Sequence, residues 1–155
     1  MTPAINLAKK AKIKHCIHEY SHHPGCDAYG LEAVQKLGIS ETRVFKTLIV
    51  SCGDGKLAVG VVPVSSMLNM KRMAKALGTK KVSMAQKAEV ERSTGYILGG
   101  VSPLGQKKRL PTVIDASSLE HSTIYVSAGR RGLEIELSPQ DLKLLTKGNF
   151  AEICA

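Results

Sequence analysis

The sequence predicts an α+β fold, a mixed and largely antiparallel curved sheet or a β-barrel flanked by short helices, and three observations lead there. Short runs of β-branched and apolar residues recur between turn signals along all 155 residues, and short helical patterns are interspersed among them. No run approaches the ~18 apolar residues of a membrane span. Hydrophobic residues make up 43% and charged residues 23%, as in an ordinary soluble globular chain. That length suffices for a single domain over 1–155, burying roughly two-thirds of its unfolded surface.

Thr2 before Pro3 reads as an N-cap and first helical position, and Ile5, Leu7, Ala8 and Ala11 then form one stripe. Cys16-Ile17-His18-Glu19-Tyr20 reads as a strand, broken at Ser21-His22-His23-Pro24-Gly25. Residues 28–37 place Leu31, Val34 and Leu37 at helical spacing, with Gly38 as the stop. The strongest strand signal is 44–52; Gly53-Asp54-Gly55 is a hairpin turn by composition, and 56–64 is its return. Ser65, Ser66 and Asn69 cap the next turn, and 70–77 closed by Gly78 is a helix with a basic face. Met67, Met70 and Met73 read as packing. A short strand over 81–84 and a short helix over 85–92 precede a glycine-rich stretch, 95–109. Strands follow over 112–115, 123–127 and 133–137, the last two joined through 128–132. Ser138, Pro139 and Asp141 start a helix, and 150–154 returns as a last short strand.

The net charge of +9 is concentrated. Residues 70–109 hold ten basic side chains against Glu89 and Glu91, whereas the rest of the chain has twelve basic and eleven acidic residues. Such a segment points to a polyanion, nucleic acid foremost, with a solvated basic face as the plainer reading. Aromatics are only 4% and Trp is absent, which argues against a platform of stacked bases. Cys16, Cys26, Cys52 and Cys154 form no CxxC pair, and Met1-Thr2-Pro3-Ala4 carries no apolar signal region. Reduced thiols in a cytoplasm are the simplest expectation, with no membrane partner.

His15, Cys16, His18, His22, His23, Cys26 and Asp27 are dense in borderline ligands, so zinc is the metal to test. Their spacing matches no structural zinc pattern, and strand alternation sends His15 and Cys16 to opposite faces, so no metal is expected.

Lys46 is out of place. Alternation puts it on one strand face with Val44, Leu48 and Val50, so its ammonium group has apolar neighbours. It is either a functional cation or a gatekeeper that reaches solvent at a sheet edge. The loop Gly99-Gly100-Val101-Ser102-Pro103-Leu104-Gly105 permits positive φ and close backbone approach at its glycines. Main-chain N–H groups there are suited to a phosphate or an oxyanion, and Lys107-Lys108-Arg109 follow as cations. A plain turn between strands is the other reading.

Several stretches in order, Val44-Phe45-Lys46-Thr47-Leu48, Ser93-Thr94-Gly95-Tyr96, Gly99 through Lys108, Ile124-Tyr125-Val126-Ser127 and Gly129-Arg130-Arg131-Gly132-Leu133, resemble the YbaK group of aminoacyl-tRNA deacylases over essentially the whole chain. The resemblance implies a stand-alone relative of the editing domain of bacterial prolyl-tRNA synthetases, with a mixed β-barrel flanked by helices and without metal or other cofactor. It makes Lys46 essential, with Gly100 and Ser102 as its catalytic companions, Gly99 and Val101 in the same backbone, and Tyr20, Ser127 and Gly129 as pocket walls. The group most like this chain removes cysteine wrongly attached to tRNA for proline and can act beside prolyl-tRNA synthetase. Its proposed chemistry uses the substrate's own thiol to form a thiolactone, so Lys46 is expected to hold the acceptor end rather than act as a base. Lys71, Arg72, Lys107, Lys108 and Arg109 are the expected phosphate contacts on tRNA. Alanine as the acyl group, or a non-catalytic tRNA- or synthetase-binding module, are the rivals. The loop from His22 to Asp27 matches no functional motif of the group.

Overall fold

The computed structural model describes residues 1–23 and 29–155. Residues 24–28, which include Cys26 and Asp27 of the early ligand-rich stretch, lie outside them. The hairpin read most strongly from sequence is the centre of the molecule. Strand β2 (Phe45–Gly53) pairs antiparallel with β3 (Lys56–Pro63), Lys46 facing Val62 in register. Asp54 takes φ 54° in the connecting turn. Apart from Lys56, β3 is buried along its whole length because both faces of its sheet are covered.

Strand β4 (Ser83–Met84) joins the outer edge of β2 antiparallel, while β5 (Thr112–Asp115) and β8 (Asn149–Ala151) add on the β3 side in parallel, giving the order β4-β2-β3-β5-β8. A second, antiparallel sheet has the order β1-β7-β6, from β1 (Cys16–Glu19), β7 (Leu133–Leu137) and β6 (Ile124–Arg130). The two sheets meet where Val44 bridges Tyr125, whose N–H donates to the Arg43 carbonyl at 2.9 Å. They are therefore a mixed pair of sheets and not a closed barrel. Beyond that bridge the outer edge of β2 has no ladder partner among the described residues until Val50 meets Met84.

Phe45, Ile49, Val59 and Val61 from one sheet pack against Ile124, Val126, Ile135 and Leu137 from the other to form the main core. Helix α1 (Pro3–Ala11) adds Ala4, Ile5 and Ala8 to it, Thr2 capping by accepting the Ile5 N–H and donating to the Ala128 carbonyl. On the opposite face of the larger sheet, α3 (Met70–Leu77) packs Met73 and Ala74 against Val50, Ala58 and Val62. Asn69 and Gly78 cap α3 as read from sequence, but Met67 is 74% exposed and is not packing. Helix α2 (Tyr29–Leu37) covers a third cluster in which Ala33, Val44 and Tyr125 are buried.

Helix α4 (Lys87–Thr94) lies two residues later than expected, because Thr94 Oγ1 donates to the Val90 carbonyl at 2.7 Å and Gly95 ends the helix in the left-handed region. Helix α5 (Pro139–Thr146) starts at the predicted Ser138 cap. An unexpected 3₁₀ turn, Ala116–Glu120, follows β5, nucleated by the Asp115 carboxylate accepting the Ser117 N–H. The last strand is shorter than read, with Cys154 making only an isolated bridge to Leu68.

Candidate active site

The unpaired edge of β2 opens onto a cavity of about 400 Å³. Tyr20, Lys46, Thr47, Gly99, Val101, Ser127, Arg130, Arg131 and Glu134 bring polar or backbone groups to it, and Leu31, Val44, Val64 and Leu98 form apolar wall. Lys46, half-buried, thus sits in a concavity and makes no ion pair among the described residues. The Thr47 hydroxyl is buried with no hydrogen-bond partner among the described residues.

The glycine-rich stretch reaches the cavity because Tyr96 anchors it in the core. Its hydroxyl donates to the Leu104 carbonyl at 2.6 Å and its N–H to Thr94 Oγ1 at 3.1 Å. Burial pushes the Tyr96 hydroxyl up to about 12, so it remains a donor. Gly99 turns the chain at φ 98°, and a Cβ on Gly100 would lie 2.9 Å from Arg130 Cα, so the loop docks directly on the β6–β7 turn. Gly99 and Val101 line the cavity and their N–H groups donate to nothing among the described residues.

Gly100, Ser102 and Gly129, all expected at the site, lie off the cavity lining. The Gly100 N–H donates to the Ile97 carbonyl at 2.9 Å, closing the turn, so it is not available to an oxyanion. Ser102 is fully buried outside the cavity lining; its hydroxyl accepts the Leu104 N–H at 3.2 Å, and its carbonyl accepts from Gln106. Gly129 also lies off the lining, against Tyr96 and Thr2, while its N–H donates to the hydroxyl of Ser127, which does line the cavity. Lys71, Arg72, Lys107, Lys108 and Arg109 are exposed and none lines the cavity; Lys108 and Arg109 border a separate one of about 170 Å³. Among the described residues, the cations lining the larger cavity besides Lys46 are Arg130 and Arg131, legible in the sequence only as part of a turn motif.

Arg131 is held by a relay. It donates to His22 Nε2 at 3.1 Å, and His22 Nδ1 donates to the buried Glu32 of α2 at 2.5 Å. Burial pushes the Glu32 carboxyl up, but hydrogen bonds from His22 and from the His23 N–H outweigh it and hold the group below its ordinary range. The other described histidines near β1 are also engaged, His15 donating to the Ile13 carbonyl and His18 to Glu136, both at 2.9 Å. Among the described residues, no three His, Cys, Asp or Glu side chains are grouped to hold a metal.

Glu134 is the residue that sequence reasoning missed entirely. It is 7% exposed, lines the cavity, and has no hydrogen-bond or ion-pair partner among the described residues. Burial alone pushes its carboxyl up to about 8. The only sequence signal was an acid inside a strand of apolar alternation. No cysteine or histidine is among the described lining residues, and burial, with the Asp115 carboxylate, pushes the Cys154 thiol up to about 11, away from nucleophilic use.

The scaffold is a mixed-sheet α+β fold whose cavity, framed by a glycine turn, is lined among the described residues by three cations, Lys46, Arg130 and Arg131, and one acid, Glu134. The chain belongs to the aminoacyl-tRNA editing domain family, whose model matches residues 23–145. It is 40% identical, over 98% of its length and 92% of the relative's, to an Enterococcus faecalis protein named "Putative Cys-tRNA(Pro)/Cys-tRNA(Cys) deacylase EbsC". It is 32% identical to a proline–tRNA ligase of Trichlorobacter lovleyi over 54% of this chain and 15% of that enzyme. A solved structure described as "a putative trans-editing enzyme for prolyl tRNA synthetase" superposes with a TM-score of 0.82 at 22% identity, over 98% of this chain and 92% of that one, a likeness of fold. No helix among the described residues is long and apolar enough to cross a membrane.

Proposed function

We propose that this chain is a trans-acting deacylase that clears mischarged aminoacyl-tRNA, with cysteine on tRNA for proline as its substrate and prolyl-tRNA synthetase as the enzyme it follows. The observation that carries this is Lys46, without an ion pair among the described residues, in a cavity lined by Gly99 and Val101, whose N–H groups donate to nothing among those residues. Lys46 holds the acceptor end through its terminal phosphate or ribose, as a point cation on a flexible stem. Arg130 and Arg131 add charge on the same wall, and Lys71, Arg72, Lys107, Lys108 and Arg109 are left for the body of the tRNA.

The ester carbonyl oxygen then points at Gly99 and Val101, whose amides receive the charge that develops on it. The substrate's thiol attacks the ester carbon, the carbon–oxygen bond to the ribose breaks, and the thiol proton leaves with the ribose oxygen. The products are a thiolactone, which water opens to free cysteine, and uncharged tRNA. Tyr20 and Ser127 line the space around the acyl group.

Deacylation of Cys-tRNA, Ala-tRNA and Pro-tRNA by wild type and by Lys46→Ala tests the reading. The cysteinyl ester should be cleaved fastest, and Lys46→Ala should lose turnover with its fold intact. If all three esters persist at their spontaneous rates, the chain is a binding module and the enzymatic reading is overturned.

A further inference from the structure

Strand alternation puts Glu134 and Glu136 on one face of β7, yet their surroundings differ completely. Glu136 accepts from Thr123, His18 and Arg43, at 2.5, 2.9 and 3.5 Å. Glu134, opposite Ser127 in register, accepts from nothing among the described residues, although it is the more deeply buried of the two. A carboxyl in that position costs stability for no gain within the fold, where a neutral side chain of similar shape costs less. Lys46 lines the same cavity and makes no ion pair among the described residues, so an acid and a cation line one cavity without closing to ion-pair distance.

A cation and an acid kept apart in one cavity complement a ligand that carries an anion and an amine, at separate points. An aminoacyl ester of a nucleotide is such a ligand, with a phosphodiester at one end and an α-ammonium group at the other. We propose that Glu134 is the receptor for the free α-ammonium group of the aminoacyl ester, so that the site accepts esters of free amino acids and rejects N-acylated ones. This rests on the deacylase reading and deepens it: the substrate class is aminoacyl-tRNA with an unblocked amine, and N-blocked or peptidyl esters are excluded. The raised Glu134 carboxyl, near 8, is close to the ~7.7–8.0 of an α-amine, so the two groups can share one proton and meet as carboxylate and ammonium. N-acylation removes both that proton and the cation, and leaves the buried acid facing an amide.

The test compares Cys-tRNA with N-acetyl-Cys-tRNA, each corrected for its own spontaneous hydrolysis, using wild type and Glu134→Gln. Wild type should prefer the free amine in kcat/KM by at least about 10-fold, the scale of one charge-assisted hydrogen bond. Glu134→Gln should lose about 10- to 100-fold on Cys-tRNA and so bring the preference close to unity. The wild-type comparison needs no variant and stands even if Glu134→Gln does not fold. Equal cleavage of both esters by wild type, or a preference that survives in Glu134→Gln, overturns the inference alone. Persistence of both esters overturns the deacylase reading and the inference with it.

Discussion

Glu134→Gln should stabilise the protein, and by an amount that depends on pH. The folded carboxyl titrates near 8 instead of at the ordinary 4.5, because burial disfavours its charged form and no donor among the described residues compensates. Below 4.5 both folded and unfolded chains hold the proton and the group has no effect on stability. As pH rises the unfolded chain releases its proton first, so folding is penalised progressively between 4.5 and 8, and the penalty is constant above that. At about 1.4 kcal/mol per pH unit the limit is on the order of 5 kcal/mol, and relaxation around the charged form lowers what is expected at pH 9 to about 2–4 kcal/mol. For a chain of this size that is roughly 5–12 °C in melting temperature. Thermal denaturation of both proteins from pH 4 to pH 9 reads it directly: the curves should coincide at the acid end and separate through the neutral range, with the variant higher. Parallel curves across the whole range would refute the claim that Glu134 is an uncompensated buried acid.

Three other substitutions probe the frame of the site. Tyr96→Phe removes a buried donor from the Leu104 carbonyl and should cost about 1–3 kcal/mol in a urea titration, with deacylation falling because the loop that carries Gly99 and Val101 loosens. Gly100→Ala places a methyl 2.9 Å from Arg130 Cα, so loop and turn must separate; circular dichroism should stay native while kcat drops by at least about 10-fold. Thr47→Val deletes a buried hydroxyl that has no partner and should raise stability by about 1 kcal/mol; a concurrent rise in KM would place that hydroxyl on the substrate, whereas a loss of stability would contradict its lack of a partner.

Periodicity, caps and turn residues are local properties, and the elements they govern were legible without a structure. The Thr2, Asn69 and Ser138 caps, the Gly53–Gly55 turn and the strand holding Lys46 all lie where hydrogen-bond requirements of neighbouring residues put them. The boundary errors arose where one side chain decided the matter, as Thr94 did by extending α4. Lys46 could be singled out because an ammonium group among apolar neighbours conflicts with its own strand.

Which residues share the cavity with Lys46 was not a local matter. Arg130, Arg131 and Glu134 lie more than eighty positions away in the chain, and they reach the site because β6 and β7 pack against β2 through the main core and the bridge from Val44 to Tyr125. Gly100 and Ser102, adjacent to the lining residues Gly99 and Val101, direct their groups into the turn instead, since each N–H or hydroxyl bonds whatever the packed loop brings nearest. The sequence therefore determined the elements and one unusual cation. Only the packing of two sheets decided which charges face it, because burial and pairing belong to the assembled interior rather than to any stretch of chain.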